Sequence, residues 1–96
     1  MVSKKVTITC RYGLHMLPSV RLSEGLTRFY GCTVKIHHGD KVIDAKDVMD
    51  LMANFLTCGS EVTLVCDGGQ EEEALAYLTD FIQRELLELS QNKERL

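Results

Sequence analysis

The chain has 96 residues, which is room for one domain but hardly for two, because independent domains rarely have fewer than about 50 residues. Hydrophobic residues make up 45% of it and the formal net charge is only −3, which excludes the apolar-poor, highly charged composition of a disordered chain. The 14 acidic residues outnumber the 11 Lys and Arg, so the composition also argues against nucleic acid as a partner.

The N-terminal segment predicts neither export nor membrane insertion. MVSKK leads directly into an alternating segment, and no apolar run approaches the ~20 residues of a membrane span. We therefore expect a cytoplasmic protein with reduced thiols. Its cysteines have neither CxxC nor zinc-type spacing and are predicted to be small apolar residues; they are Cys10, Cys32, Cys58 and Cys66.

The first elements are a strand and a helix. Residues 2–10 alternate, with Val6, Ile8 and Cys10 on the apolar side, which is typical of a half-buried strand. From Met16 the apolar residues recur at helical spacing; they are Leu22, Leu26 and Phe29. Gly31 is expected to end this helix as its C-cap glycine.

A hairpin and a short helix follow. Residues 32–37 and 41–44 predict two strands joined by a turn at Gly39-Asp40. In this hairpin His37 and His38 are adjacent, and in a strand they point to opposite faces, so we expect surface residues and no metal pair. Asp47 is expected to be the N-cap of the short helix, whose apolar positions are Val48, Leu51, Met52 and Phe55.

The last two elements are a strand and a long helix. Residues 62–66 alternate, and the glutamates at 71–73 suit the positive end of a helix that we expect to reach about Ser90. The order is therefore βαββαβα. It predicts an α+β open sandwich in which helices cover one face of a mainly antiparallel four-stranded sheet. Residues 1–90 are expected to form a single domain and residues 91–96 a frayed tail.

The segment that is best suited to carry out a reaction is GLHMLP at 13–18, at the transition from the first strand to the first helix. If His15 is the N-cap, the backbone N–H groups of the first turn, Met16 and Leu17 among them, have no partner within the helix and form an anion site. The same dipole favours neutral imidazole, which is a nucleophile. Pro18 loses little there, since its N–H would have been unpaired. These local features are also compatible with a surface histidine that has no chemical role.

At this point the sequence resembles the HPr family, the histidine-containing phosphocarriers of the bacterial phosphoenolpyruvate-dependent sugar phosphotransferase system. The resemblance is based on VTIT followed by Gly-Leu-His with a proline three residues later, on Asp44-Ala45-Lys46-Asp47 in the family's regulatory segment, and on GGQEEEAL before the last helix. The βαββαβα order is also the family's order, with two long helices and one short helix on one face of the sheet.

The resemblance implies that His15 accepts a phosphoryl group on Nδ1 from enzyme I and passes it to an enzyme IIA-type protein. The chain would be a carrier rather than a turnover enzyme, would need no cofactor or metal, and would act as a monomer, with regulatory proteins as further possible partners. Partners would dock on the first turn of the first helix and on a surface that we call the docking face, formed by Val20, Val48, Met49 and Met52. These apolar residues could instead belong to the core.

Two positions depart from the family pattern. The family usually has arginine two residues after the active histidine, where this chain has Leu17, whose aliphatic side chain cannot replace a guanidinium. Arg11 or Arg21 is the hypothesised substitute. Asp47 lies where many relatives have a serine that a kinase phosphorylates, and an aspartate cannot be switched in this way.

Three functions therefore remain open at the level of sequence. The first is an active phosphocarrier. The second is a regulatory binding module with weak or dedicated phosphotransfer, suggested by Leu17 and Asp47. The third, redox or metal chemistry at the cysteines, lacks motif spacing.

Overall fold

The computed structural model describes residues 1–8, 16–54, 56 and 59–85. Within them the strands are β1 (Val2–Thr7), β2 (Cys32–His38), β3 (Lys41–Asp44) and β4 (Glu61–Gly68), and the helices are α1 (Met16–Leu26), α2 (Val48–Ala53) and α3 (Glu71–Asp80). A π-helical turn, Phe81–Glu85, continues α3. The predicted βαββαβα order and the open-faced α+β sandwich are confirmed.

The sheet has the strand order β1-β4-β2-β3, and every neighbouring pair is antiparallel. Because β1 and β2 both pair with β4, they run parallel to each other with β4 between them, and α1 makes the crossover. The second crossover, through α2, connects β3 to β4 in the same way. The connections make α1 and α2 run in opposite directions, so the start of α1 and the end of α2 lie at the same end of the sheet.

The core lies between one face of the sheet and the helices. Alternate strand residues face it, as the period of two predicts, and each helix contributes a buried stripe. Its fully buried members include Ile8, Leu22, Leu26, Ile36, Ile43, Leu51, Leu64, Leu78 and Ile82. This arrangement leaves the outer side of α2, with Met49 and Met52, outside the core.

The expectation that Gly31 is the C-cap of α1 is wrong. The helix ends at Leu26, and the chain then turns through bonds from Thr27 N to Glu24 O and from Phe29 N to Leu26 O. Thr27 also bonds Glu24 O through its hydroxyl, which offers the backbone an alternative to another helical turn. The glycine has a different use, because Gly31 O accepts a bond from Gly69 N and a Cβ on Gly68 would lie 2.4 Å from it.

Two other boundaries differ from the prediction or cannot be compared with it. β1 ends at Thr7, although Ile8 still bonds Ser60 O through its N–H and Gly59 N through its carbonyl. Cys10 and the predicted end of the last helix near Ser90 lie outside the described residues, as does the tail at 91–96. Among the helices that the structure describes, none combines the length and the hydropathy needed to cross a bilayer.

Candidate phosphorylation site and docking face

The candidate nucleophile directly precedes a helix. His15 lies outside the described residues, and α1 begins at the next residue, Met16. The first turn of α1 contains no acidic residue, so no carboxylate of that turn competes for the unpaired N–H groups or the positive end of the dipole. The local field therefore favours an anion at this helix start. Nearby, Ser19 is fully buried, and its hydroxyl has no hydrogen-bond partner among the described residues.

The docking face is divided between exposed and half-buried residues. On α2, Leu51 is fully buried, whereas Met49 is 70% and Met52 39% exposed. Val20 and Val48 are half-buried. The competing interpretation, that these residues belong to the core, is therefore wrong for both methionines, since α2 directs Leu51 inward. Phe55, the other candidate for the inward stripe, is outside the described part of the chain.

The N-terminus of α2 is fixed by carboxylates. Asp47 is the N-cap, as predicted: its extended backbone (φ −107°, ψ 107°) precedes the helix, and Oδ1 accepts bonds from Met49 N at 3.0 Å and Asp50 N at 3.4 Å. Asp50 Oδ2 accepts a bond from Asp44 N at 2.7 Å, and Oδ1 accepts one from Asn54 Nδ2 at 3.0 Å. These carboxylates therefore hold α2 to the loop before it.

The arginines proposed to replace the missing guanidinium are not shown together with His15. Arg21 is exposed on α1 and lines a shallow depression with Glu24, Gly25 and Tyr77 at the contact with α3. Arg11 lies outside the described residues. The role of either arginine at the site therefore stays a prediction.

Two of the cysteines can be described, and both are buried residues of the sheet. Cys32 and Cys66 are free thiols on the core side of β2 and β4. Burial, reinforced by the neighbouring Cys32 thiol, raises the pKa of Cys66 to about 11. Its reactive thiolate is thus disfavoured near neutral pH. The prediction of small apolar residues is confirmed for these two, while Cys10 and Cys58 are not described.

Histidine and metal chemistry gains no support within the described residues. His37 is exposed and His38 half-buried, in keeping with their predicted place near the surface of β2. In the described ranges, no three His, Cys, Asp or Glu side chains come together as a possible metal site.

One residue with several tertiary contacts was not predicted. The Lys46 ammonium donates to Phe29 O and to Cys32 O, both at 2.5 Å, and its backbone carbonyl accepts from Ser23 Oγ at 2.7 Å. The partners are 14 to 23 residues away in sequence. No local pattern reveals such contacts, because hydrophobic periodicity says nothing about which carbonyls a lysine reaches.

The family is decided by a match over most of the chain. Residues 2–84 match the model for the PTS HPr component phosphorylation site. The chain belongs to the HPr family. Members of this family are phosphotransferase-system proteins, so the resemblance in the site segment, the regulatory segment and the last helix is confirmed at the level of family.

One of two similar relatives is named a phosphocarrier and the other an HPr-like protein. The HPr-like protein Crh of Bacillus subtilis is 34% identical over 86 residues, which cover 90% of this chain and 100% of the relative. The phosphocarrier protein HPr of Cupriavidus necator is also 34% identical, over 82 residues, which cover 85% of this chain and 91% of the relative. Equal identity to a phosphocarrier and to an HPr-like protein leaves the specific role to be proposed.

Solved HPr-family structures share the fold. A crystal structure of an HPr from Thermoanaerobacter tengcongensis superposes with a TM-score of 0.82 at 27% identity, covering 90% of this chain and 96% of that one. A crystal structure of Crh from Bacillus subtilis, reported as a domain-swapped dimer, has a TM-score of 0.69 at 34% identity, with 88% and 97% covered.

Proposed function

We propose that this HPr-family protein is a phosphocarrier that receives a phosphoryl group on His15 from enzyme I and transfers it to an enzyme IIA-type acceptor in the cytoplasm. The observation that carries the proposal is the match to the family's phosphorylation-site model over residues 2–84, a range that includes His15. The start of α1 at Met16 and the absence of an acidic residue from its first turn support it.

In the proposed reaction, the lone pair of neutral His15 Nδ1 attacks phosphorus. A P–N bond forms while the bond between phosphorus and the donor residue of enzyme I breaks, and the electron pair of that bond stays with enzyme I. The N–H groups at the start of α1, Met16 and Leu17 among them, would stabilise the anionic phosphoryl oxygens. Delivery to the acceptor repeats the displacement in the opposite sense and regenerates neutral His15. The chain is thus a carrier that ends each cycle unchanged.

The docking face supplies the surface for partner recognition in this proposal. Its methionines are exposed, and α2 ends at the same end of the sheet at which α1 begins. Flexible, polarisable methionine side chains can adapt to more than one partner. A partner that docks there would approach the phosphoryl group and cover apolar surface. The binding free energy from this apolar contact would compensate for the partner contact that an arginine at position 17 would make.

A regulatory binding module is the second candidate, and specific observations favour it. The chain is 34% identical both to the HPr-like protein Crh and to the phosphocarrier HPr of Cupriavidus necator. In addition, Leu17 and Asp47 both depart from the family pattern. Asp47 has no hydroxyl, so a kinase cannot regulate the chain at this position. Its carboxylate is instead used as the N-cap of α2.

Onward transfer separates the two candidates. The protein is first phosphorylated with phosphoenolpyruvate and catalytic enzyme I, purified, and then mixed with an enzyme IIA-type protein in the absence of enzyme I. A phosphocarrier discharges to the acceptor much faster than it hydrolyses alone, and the label appears on the acceptor. Equal rates of loss with and without acceptor, together with retained binding to the acceptor, would instead support the binding module.

We propose the monomer as the acting form. Each strand that the structure describes, the edge strand β1 included, pairs within one chain, so this sheet needs no strand from a second copy. The crystal structure of Crh is described as a dimer with a swapped domain, so a relative can form a dimer.

A further inference from the structure

Lys46 is a half-buried lysine that connects elements distant in sequence. Its Nζ donates to Phe29 O and Cys32 O at 2.5 Å each, and both carbonyls belong to the segment through which α1 passes into β2. Hydrogen bonds from an ammonium group are stronger than those between neutral groups. The side chain therefore fastens the loop before α2 to the connection that follows α1 and to the first residue of β2.

The backbone of Lys46 is held by the same surroundings. Its carbonyl accepts a bond from Ser23 Oγ of α1 at 2.7 Å, and its N–H donates to Asp44 Oδ1 at 3.0 Å. The side chain and both backbone polar groups thus have partners, and those on α1 and β2 are remote in sequence. An exposed lysine on a loop would normally direct its ammonium into water.

The loop that Lys46 holds in place leads directly into α2. The residue after Lys46 is the N-cap Asp47, and Asp50 of the first turn bonds the backbone of Asp44 at 2.7 Å. The position of the 44–47 loop therefore sets where α2 begins and which way its outer side faces. A shift of this loop would move Met49 and Met52 relative to the start of α1.

We propose that Lys46 is a positioning residue: it aligns α2, and with it the docking face, against α1. The inference rests on the proposed function, since the docking face is assigned there. Lysine suits the place because its compact ammonium has three donors that can bond two carbonyls at once, whereas a methionine of similar length has none.

Hydrogen exchange tests the alignment without any partner. Lys46→Met is compared with Lys41→Met, which alters an exposed lysine of the hairpin. The N–H groups of Leu51 and Asn54, which bond Asp47 O and Asp50 O, report on α2, and that of Leu64 reports on β4. In Lys46→Met we expect exchange in α2 to accelerate roughly tenfold more than in β4, and in Lys41→Met no such difference. Equal acceleration in both elements, or none, would overturn the proposal.

Kinetics with enzyme I test the consequence for docking. At a temperature where the variants are fully folded, Lys46→Met should raise KM for this protein roughly three- to tenfold and leave kcat within about twofold, because binding is weakened and the chemistry is not. An unchanged KM would overturn the positioning role. If the wild-type protein accepts no phosphoryl group, the proposed function fails, and the exchange comparison still decides whether Lys46 aligns α2.

Discussion

Individual side chains near the docking face have separate roles. Asp47 stabilises a helix, His15 is proposed to carry the phosphoryl group, and an arginine is expected to assist it. At this scale each task can be tested by one substitution.

Asp47→Ala should destabilise the protein by about 1 kcal/mol, the usual effect of removing an N-cap side chain. The variant loses the acceptor for Met49 N and Asp50 N. Because α2 has only six residues, these two bonds are a large share of the hydrogen bonds that stabilise it. Urea unfolding measures the difference in the free energy of unfolding. Asp47→Asn, which keeps an oxygen acceptor, is the control and should lie close to wild type. Equal stability of Asp47→Ala and wild type would contradict the capping role.

Replacement of Arg11 or Arg21 by alanine should slow phosphorylation of His15 by roughly tenfold for whichever arginine reaches the phosphoryl group, as expected for the loss of a charged hydrogen bond of about 1.5 kcal/mol. The initial rate with enzyme I is the measurement, and Arg28→Ala is the matched control, because Arg28 packs over the rings of Phe29 and Tyr77. Unchanged rates in both Arg11→Ala and Arg21→Ala would refute the hypothesis.

At the scale of the helices, the orientation of each helix determines which of its side chains are exposed to partners and which are buried. α2 buries Leu51 and leaves Met49 and Met52 outside, whereas α1 lies so close to α3 that a Cβ on Gly25 would clash with Tyr77. These two helix faces lead to opposite expectations, since changes at the first should affect recognition and changes at the second should affect folding.

Met49→Gln and Met52→Gln should each weaken docking without unfolding the protein. Glutamine keeps the length and the helix propensity of methionine but not its apolar surface, so we expect KM with enzyme I to rise roughly three- to tenfold, with stability within about 0.5 kcal/mol of wild type. Val42→Gln is the control, because Val42 is similarly exposed (56%) but lies on β3. A rise in KM that is no larger than in this control would argue against the docking face.

Gly25→Ala should destabilise the contact between α1 and α3. A Cβ at this position would lie 1.8 Å from the hydroxyl oxygen of Tyr77 and 2.6 Å from Cζ, and the ring is held between Phe29, at 5.9 Å between centroids, and the Arg28 guanidinium, at 4.5 Å. Overpacking of this kind usually costs about 1 to 3 kcal/mol, more than alanine gains in helix propensity.

A double-mutant comparison isolates that clash. In a Tyr77→Ala background the same Gly25→Ala change should become stabilising, because the space is then free and only the propensity of alanine remains. Thermal or urea unfolding of the four proteins provides the test. A Gly25→Ala variant that is as stable as wild type would contradict this expectation and show that the Tyr77 side chain can move aside at little cost.

For the molecule as a whole, local patterns predicted the elements well and their ends less well. Val34, Ile36 and Leu64 alternate in the sequence and face the core, and Asp47 caps α2 because capping needs only neighbouring residues. The end of α1 was misplaced because the turn after Leu26 depends on bonds within the turn and on the Lys46 ammonium at Phe29 O. Such a contact has no signature in local sequence.

Some features of the candidate site could likewise be predicted from local sequence and others could not. The exposed methionines and the N-cap could be predicted from the sequence, whereas the role of His15 in the GLHMLP segment stays a prediction. The family was inferred by resemblance and is now established by the match over residues 2–84. The Lys46 contacts could not be foreseen, since they depend on the tertiary approach of α1, β2 and the 44–47 loop. The division into a domain at 1–90 and a tail at 91–96 stays a prediction.

The most direct test of phosphoryl transfer to His15 is the intact mass of the protein after incubation with phosphoenolpyruvate and its cognate enzyme I, with the enzyme's activity confirmed separately by its own phosphorylation. We expect a gain of one phosphoryl group that is lost in acid, as a phosphoramidate should be, and that is absent from His15→Ala. An unmodified wild-type protein, or an adduct that persists in His15→Ala, would contradict the account.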